Sequence, residues 1–245
     1  MTVAERRRLD QELVERGLAA SRERAQALVR AGLVRLEGQV VSRPDQAVAP
    51  EQKLELAGGS EYVSRGAEKL EAALSSFEVE VANRSCLDVG ASTGGFTEVL
   101  LRRGAARVIA VDVGYGQLAW SLRQDRRVVV MERVNIRHLE QLPVPADLAV
   151  IDVSFISLRL VLPRVRDLLT APGEVIALVK PQFEVGKGAV GKGGVVRDPA
   201  QHQLVLDQLT GFARELGYEV KGQMASPLLG AKGNREFLIH LLPNG

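Results

Sequence analysis

The chain has 245 residues, of which 46% are hydrophobic, and a formal net charge of +2. These values predict a globular protein with one large domain or two unequal ones. No apolar run is long enough to span a bilayer, the N-terminus lacks a secretory core, and the three histidines have no metal-ligand spacing. We therefore expect a cytoplasmic protein without a membrane partner or a bound metal. Cys86 is the only cysteine, which excludes internal disulfides.

Residues 6–56 predict two short helices followed by a β-hairpin. The first helix ends at Gly17, Ser21 caps the second, and the second ends at Gly32. Strands at 33–36 and 39–41 flank a Glu-Gly turn. Two helices and a small sheet in so few residues indicate a minimal binding module.

The cations of this module are almost all arginines, whose planar guanidinium suits phosphate. Residues 8–18 and 21–34, together with the hairpin, resemble the αL RNA-binding domain of a small-subunit ribosomal protein and of several RNA-modifying enzymes. The resemblance implies RNA binding, for which Arg6, Arg22 and Arg24 are the candidates. Nine acids among the first 57 residues leave an alternative, in which the arginines only form salt bridges on a solvated helix pair.

The remainder of the chain predicts a second, larger domain. We expect an RNA-binding domain at 1–58, a linker at 59–68 and a catalytic domain at 69–245. Beyond residue 84, apolar runs alternate with helical patterns, which is typical of a parallel sheet covered on both faces. The predicted strands are Ser85–Val89, Arg107–Asp112, Val128–Met131, Asp147–Asp152, Glu174–Lys180, Tyr218–Met224 and Glu236–Leu242. The last two are joined too closely for a helical crossover and are predicted to be antiparallel. The fold class is therefore α/β, a Rossmann-like seven-strand methyltransferase sheet with a small N-terminal αL domain.

A glycine-rich loop, Asp88–Phe96, joins the first of these strands to a helix, where such sheets hold nucleotide-like cofactors. Asp88 lies at the strand end, and Asp112 closes the next strand. S-adenosylmethionine fits this pattern, with Asp88 near its positive methionine end and Asp112 accepting from the ribose diol. A dinucleotide is disfavoured because Ser92 stands where a glycine must admit pyrophosphate. The proposed cofactor residues of the loop are Gly90, Ser92, Gly94 and Phe96, and a plain glycine turn is the alternative.

Charged residues are predicted to converge at the carboxyl edge of the sheet. Asp152 and Lys180 end two strands, and Glu236 begins the final one. If the final strand is antiparallel, its start lies on the same edge as the other strands' ends. Lys69, on the helix that precedes the sheet, is the fourth candidate.

Five segments together are similar to the TlyA family, formerly named haemolysins: 62–69, 86–97, 112–120, 152–157 and 180–187. That family joins an αL domain to an FtsJ-like methyltransferase and methylates cytidine 2′-hydroxyls of ribosomal RNA. The resemblance implies S-adenosylmethionine as cofactor, ribosomal RNA or ribosomal subunits as partners, and a tetrad of Lys69, Asp152, Lys180 and Glu236. Family members differ in the subunits they modify. The short tail after Leu242 leads us to expect the large subunit, with the small subunit as an alternative.

The reaction explains the lysines, because a ribose hydroxyl must lose its proton as it attacks a sulfonium methyl group. Lys180 is expected to act either as the base or as an electrostatic stabiliser, and the two acids to orient the lysines. Asn135 is expected to accept from the adenine amino group, where related enzymes usually have an acid; a plain loop asparagine is the alternative. Arg65, Lys187 and Lys192 are expected to contact RNA, the two lysines within a lid-like loop.

Three other functions compete with this interpretation. A non-catalytic ribosome-assembly factor could retain the cofactor pocket. Membrane lysis is suggested by the old family name, but the sequence has neither a membrane span nor a strongly amphipathic basic helix to support it. Dinucleotide-dependent oxidation is disfavoured by Ser92. Trp120 is expected to pack in the core, and core packing is the alternative to a cofactor contact for Phe96. The sequence gives no indication of oligomeric state.

Overall fold

The computed structural model describes residues 6–19, 21–30, 32–56, 62–186, 190–191 and 193–244. The chain divides into two compact units, Met1–Glu61 and Tyr62–Gly245. None of the helices in these described ranges is long and apolar enough to cross a membrane.

The first unit packs two helices on short antiparallel strands. Its elements are β1 (Arg7–Arg8), α1 (Leu9–Glu15), α2 (Arg22–Arg30), β2 (Val34–Leu36), β3 (Gln39–Val40), β4 (Ala47–Val48) and β5 (Leu54–Leu56). β2 lies between β3 and β5, and β1 pairs with β4. Ser21 caps α2, since its Oγ accepts from the Arg24 backbone N–H at 3.2 Å. The predicted hairpin is confirmed, and Glu37 and Gly38 both take the positive φ that its turn requires.

The second unit is built on a seven-stranded sheet. Its strands are β6 (Ser85–Val89), β7 (Arg107–Asp112), β8 (Val128–Glu132), β9 (Leu148–Ile151), β10 (Glu174–Val179), β11 (Tyr218–Ala225) and β12 (Phe237–Pro243). The order is β11-β12-β10-β9-β6-β7-β8. Only β12 runs against its neighbours, being antiparallel to both β10 and β11. The seven predicted strands and the reversed last strand are therefore confirmed.

Helices cover both faces of this sheet. They are α3 (Gly66–Ser76), α4 (Gly95–Arg102), α5 (Trp120–Arg123), α6 (Leu162–Leu168), α7 (Pro181–Glu184) and α8 (Pro199–Glu215). Alternate strand residues point to opposite faces, so Leu87 packs with α6 and α8 while Cys86 packs with α3 and α4. Burial raises the pKa of the Cys86 thiol to about 12, which leaves it without the thiolate that a nucleophile needs. The expectation that Trp120 packs in the core is wrong, since this residue is 67% exposed.

The strand directions place charged residues at one edge of the sheet. The parallel strands β6, β9 and β10 end there, and β12 begins there because it is reversed. Asp152 follows β9, Lys180 follows β10 and Glu236 precedes β12. This edge therefore receives charged residues from three strands that are separated along the chain.

Candidate active site

A cavity of about 710 Å³ opens at this edge. Its walls come from the glycine-rich loop after β6, the first turns of α3 and α4, the loops after β9 and β10, and the connection between β11 and β12. Lys69, Asp152, Lys180 and Glu236 all line it. The structure therefore brings the four predicted residues together.

The four charged side chains form two ion pairs. Lys69 Nζ lies 2.5 Å from Glu236 Oε2, and Lys180 Nζ lies 2.7 Å from Asp152 Oδ1. Glu236 is the most enclosed of the four, with a side chain only 3% exposed, whereas the Asp152 side chain is 24% exposed. Each ammonium thus faces a carboxylate, so the positive charges on the cavity floor are balanced.

Ser154 is a site residue that the sequence did not single out. Lys180 Nζ donates to Ser154 Oγ at 2.8 Å, in addition to its ion pair with Asp152. Because an ammonium has three N–H donors, one is left to point towards a substrate. The only signal in the sequence was that Ser154 lies two residues beyond Asp152 in the same strand-end segment.

Glu236 is held by the backbone around it. Its carbonyl oxygen accepts from the Ser226 N–H at 2.9 Å. Its carboxylate lies against Gly230, where any Cβ would overlap it. A glycine is therefore required at this point by the approach of a site carboxylate and not by an unusual φ angle.

Asp88 lies beneath the glycine-rich loop and is fully buried, outside the lining of the cavity. Thr97 Oγ1 donates to its Oδ2 at 2.6 Å, and its Oδ1 has no hydrogen-bond partner among the residues that the structure describes. Burial raises the pKa of Asp88 to about 7, and the negative charge of Asp152 acts in the same direction. Asp88 Oδ1 is therefore a buried acceptor that a hydrogen-bond donor or a positive charge would stabilise.

Gly90 and Gly94 have positive φ angles of 87° and 99°. A Cβ at Gly90 would overlap the backbone carbonyl of Asp152, and one at Gly94 would overlap the side chains of Leu118 and Leu122. Both glycines are therefore explained by contacts within the protein. Of the proposed loop residues, Gly90, Ser92 and Phe96 line the cavity.

Asp112 ties two loops together. Its Oδ2 accepts from the Ser92 N–H at 2.8 Å and its Oδ1 from the Gly114 N–H at 2.7 Å. A carboxylate has about four lone-pair sites, so capacity remains for a ribose diol. Asp88 and Asp112 lie outside the lining of the cavity, to which Phe96 contributes. The two carboxylates at this edge are acceptors of the kind that the ribose hydroxyls and the positive methionine end of S-adenosylmethionine require, so the residues present fit this cofactor.

Asn135 caps a single 3₁₀ turn at Ile136–His138. Its Oδ1 accepts from the Arg137 backbone N–H at 3.1 Å. The oxygen expected to receive an adenine amino group therefore already has a partner, and Asn135 does not line the cavity. A role for Asn135 in cofactor binding stays a prediction.

Two aromatic rings at the cavity were also missed. Phe155 is 90% exposed and has a positive φ of 64°, and its ring centroid lies 5.1 Å from that of Phe183. Both residues line the cavity. A large side chain held in a left-handed backbone conformation and open to solvent indicates a functional surface.

The predicted RNA-contacting residues fall in different places. Arg65 is exposed and lines the cavity, whereas Lys187 and Lys192 lie outside the described residues. On the first unit, Arg6 and Arg22 line a shallow hollow, and Arg24 is exposed on α2 without an acidic partner among the residues that the structure describes.

Some arginines of the first unit are structural. Asp10, whose side chain is fully buried, accepts from Arg8 and from Gln26 and Arg22. These hydrogen bonds, that of Arg8 first, hold the pKa of the Asp10 carboxyl well below its usual range. Arg16 donates to the carbonyls of Pro50 and Gln52. The salt-bridge alternative thus describes Arg8, Arg22 and Arg16, whose Nε lies 2.8 Å from Glu12 Oε1. Arg6 and Arg24 have no acidic partner among the described residues and stay available for RNA.

Comparison with known families gives two matches. The FtsJ-like methyltransferase family matches residues 62–242, and the S4 domain matches residues 7–54. The 16S/23S rRNA (cytidine-2′-O)-methyltransferase TlyA of Mycobacterium tuberculosis is 53% identical over 98% of this chain and 91% of the relative.

Two further relatives extend the comparison. The 23S rRNA (cytidine-2′-O)-methyltransferase TlyA of Campylobacter jejuni is 37% identical over 75% of this chain and 72% of the relative. A solved structure described as a hemolysin of Streptococcus thermophilus is 44% identical, covers 99% of this chain and 90% of its own, and has a TM-score of 0.77. With two domain matches in the expected order and these identities over nearly the whole chain, the protein belongs to the TlyA family of FtsJ-like methyltransferases.

Proposed function

We propose that this protein transfers a methyl group from S-adenosylmethionine to the 2′-hydroxyl of cytidine in ribosomal RNA. The observation that carries the proposal is the pair of ion pairs, Lys69 with Glu236 and Lys180 with Asp152, in one cavity beside the glycine-rich loop. In this proposal residues 1–58 form the RNA-binding domain and residues 69–245 form the domain that transfers the methyl group. Residues 59–68 are the linker between them. The protein acts in the cytoplasm, where its RNA substrate is found.

S-adenosylmethionine supplies an electrophilic methyl group on a positively charged sulfur. We assign its positive methionine end to the region above Asp88, whose buried oxygen lacks a donor. Asp112 holds the ribose diol with its remaining lone pairs, and Phe96 forms an apolar wall. Ser92 helps to shape the loop, since its backbone N–H is fixed on Asp112.

Lys180 acts on the attacking oxygen. Asp152 and Ser154 occupy two directions around its ammonium, so the third N–H is directed at the 2′-oxygen of the substrate and stabilises the negative charge that develops there. If Lys180 instead accepts the hydroxyl proton, it needs the same placement. Lys69 and Glu236 keep a second, charge-balanced pair next to the reacting atoms.

The target nucleotide is held by groups around the cavity. The exposed ring of Phe155, packed on the half-buried ring of Phe183, offers an aromatic surface on which an unstacked base can pack. Arg65 provides a cation for the RNA backbone. We propose the large-subunit RNA as the main substrate and the small-subunit RNA as a second one, consistent with relatives named for both or for the large subunit alone.

The decisive experiment is transfer of tritiated methyl groups to unmodified 16S and 23S rRNA, followed by nuclease mapping of the product. We expect incorporation at a cytidine 2′-oxygen. Lys180→Ala should abolish incorporation while calorimetry still detects binding of S-adenosylmethionine. Lys221→Ala, which removes an exposed lysine of β11 paired with Glu219, is the matched control. Absence of incorporation into either RNA by the wild-type protein, despite cofactor binding, would favour a non-catalytic assembly factor.

A further inference from the structure

We propose that Lys232, in the connection between β11 and β12, binds a backbone phosphate of the RNA next to the target nucleotide. The inference rests on the proposed function, because it names a contact for the substrate of that same site. Neither the sequence pattern nor the tetrad assigns a role to this residue. Four observations on its conformation, position, charge and support carry the inference.

Lys232 has an unfavourable backbone conformation. Its φ of 57° and ψ of 17° lie in the left-handed region, which is strained for a residue that carries a side chain. A glycine would remove this strain, and Gly233 next to it shows that the turn accommodates one. Backbone strain of this kind persists where surrounding contacts impose it, and it clusters at binding sites.

Lys232 is also a cation that lacks an acidic partner among the described residues. It lines the cavity in which Lys69 and Lys180 are each neutralised by a carboxylate. Arg65 is the other cavity-lining cation without such a partner in the described ranges. A ribose within RNA carries a phosphate on each side, so two unneutralised cations around one cavity suit a polyanionic strand better than a cofactor whose ammonium and sulfonium give it a net positive charge.

The ammonium of Lys232 lies near exposed backbone. Its Nζ is 3.7 Å from the position that a Cβ would take at Gly194, where φ is +81°, and Gly193 before it has a φ of +84°. Gly194 lines the cavity, and with Gly193 before it no side chain covers the backbone at this point. A phosphate could therefore approach Lys232 closely from the cavity side.

Asn234 links the turn that contains Lys232 to the turn that contains Gly194. It is only 2% exposed; its Oδ1 accepts from the Val196 N–H at 3.1 Å, and its Nδ2 donates to the carbonyls of Gly194 and Ala231 at 3.0 Å. One buried amide thus fixes both segments around Lys232. Such support explains how the strained turn is maintained and how the ammonium is positioned before RNA binds.

The test uses the full-length protein and unmodified 23S rRNA, with filter binding measured from 50 to 200 mM KCl. Lys232→Ala should raise the Kd about tenfold at 50 mM, as expected for loss of a charged contact. The ratio of the variant's Kd to the wild-type Kd should be about threefold smaller at 200 mM than at 50 mM. The reason is that one phosphate contact contributes about 0.7 to the slope of log affinity against log salt for single strands. A defect of folding alone would not lower the slope. Lys232→Arg should restore most of the affinity, and Lys221→Ala should match the wild type.

Two results would overturn the inference. One is a Lys232→Ala protein with unchanged rRNA affinity and salt slope. The other is a loss of S-adenosylmethionine affinity in calorimetry, which would assign the ammonium to the cofactor carboxylate. Because binding is measured separately from methyl transfer, failure of the wild-type protein to methylate rRNA would refute the proposed function and leave this test intact.

Discussion

Replacement of Asp88 by asparagine should make the protein more stable at alkaline pH than the wild type. Asp88 is fully buried, and its pKa is raised from 3.8 to about 7 by that burial. Between these two values the native state keeps a proton that the unfolded chain has released, so the free energy of unfolding falls as pH rises. Each pH unit corresponds to about 1.4 kcal/mol. The loss in the free energy of unfolding caused by ionising Asp88 therefore grows by about 3 kcal/mol from pH 5 to pH 8. Most of it arises between pH 5 and pH 7, because above the native pKa both states have released the proton.

Asparagine keeps the acceptor for Thr97 Oγ1 but carries no charge. Urea unfolding of cofactor-free wild type and Asp88→Asn, followed by circular dichroism at pH 5 and pH 8, should show the variant gaining about 3 kcal/mol relative to the wild type over this interval. Asp167→Asn, which changes an exposed carboxylate, should show no such gain. A wild-type stability that rises from pH 5 to pH 8 relative to Asp88→Asn would refute the argument that this carboxyl is desolvated.

Three further substitutions test the site and the RNA-binding unit. Glu236→Gln leaves the Lys69 ammonium without its carboxylate and should lower kcat for methyl transfer by about 100-fold, with the thermal midpoint as a control for folding. Gly90→Ala forces a Cβ onto the Asp152 carbonyl and should destabilise the protein by about 2 kcal/mol while reducing both cofactor affinity and turnover. Asp10→Asn removes the buried negative charge of the first unit and one of the two oxygens that accept from Arg8, and should cost about 2 kcal/mol; unchanged unfolding and unchanged rRNA affinity would contradict its structural role.

The sheet and its charged edge could be predicted because they follow from strong sequence signals. Near-continuous apolar runs mark buried parallel strands, and the short connection from Ser226 to Asn234 leaves no room for a crossover helix. The reversed β12 then places Glu236 beside Asp152 and Lys180. Strand direction was therefore sufficient to bring three of the four candidates together, whereas Lys69 is contributed by the helix α3 that precedes the sheet.

The finer features depend on backbone conformations and burial that residue types do not determine. Nothing in the sequence distinguishes the left-handed φ of Phe155 or Lys232 from an ordinary loop conformation. Ser154 acquires its role only because the loop after β9 turns its hydroxyl towards Lys180. Trp120 was expected in the core, but it begins a four-residue helix and is 67% exposed. The two-residue strands β1 and β4 are too short to produce a periodic pattern.

The contact between Gly90 and the carbonyl of Asp152 has a consequence for how such an enzyme can diversify. The two segments meet through main-chain atoms, and both are anchored in the sheet: Gly90 N–H donates to the Val111 carbonyl and Asp152 N–H to the Val89 carbonyl, each at 2.9 Å. In the proposed enzyme this main-chain contact fixes the distance between the glycine-rich loop and the segment that carries Asp152. Side chains at the mouth of the cavity can then be exchanged over evolution to suit a new RNA without changing the distance between these two segments.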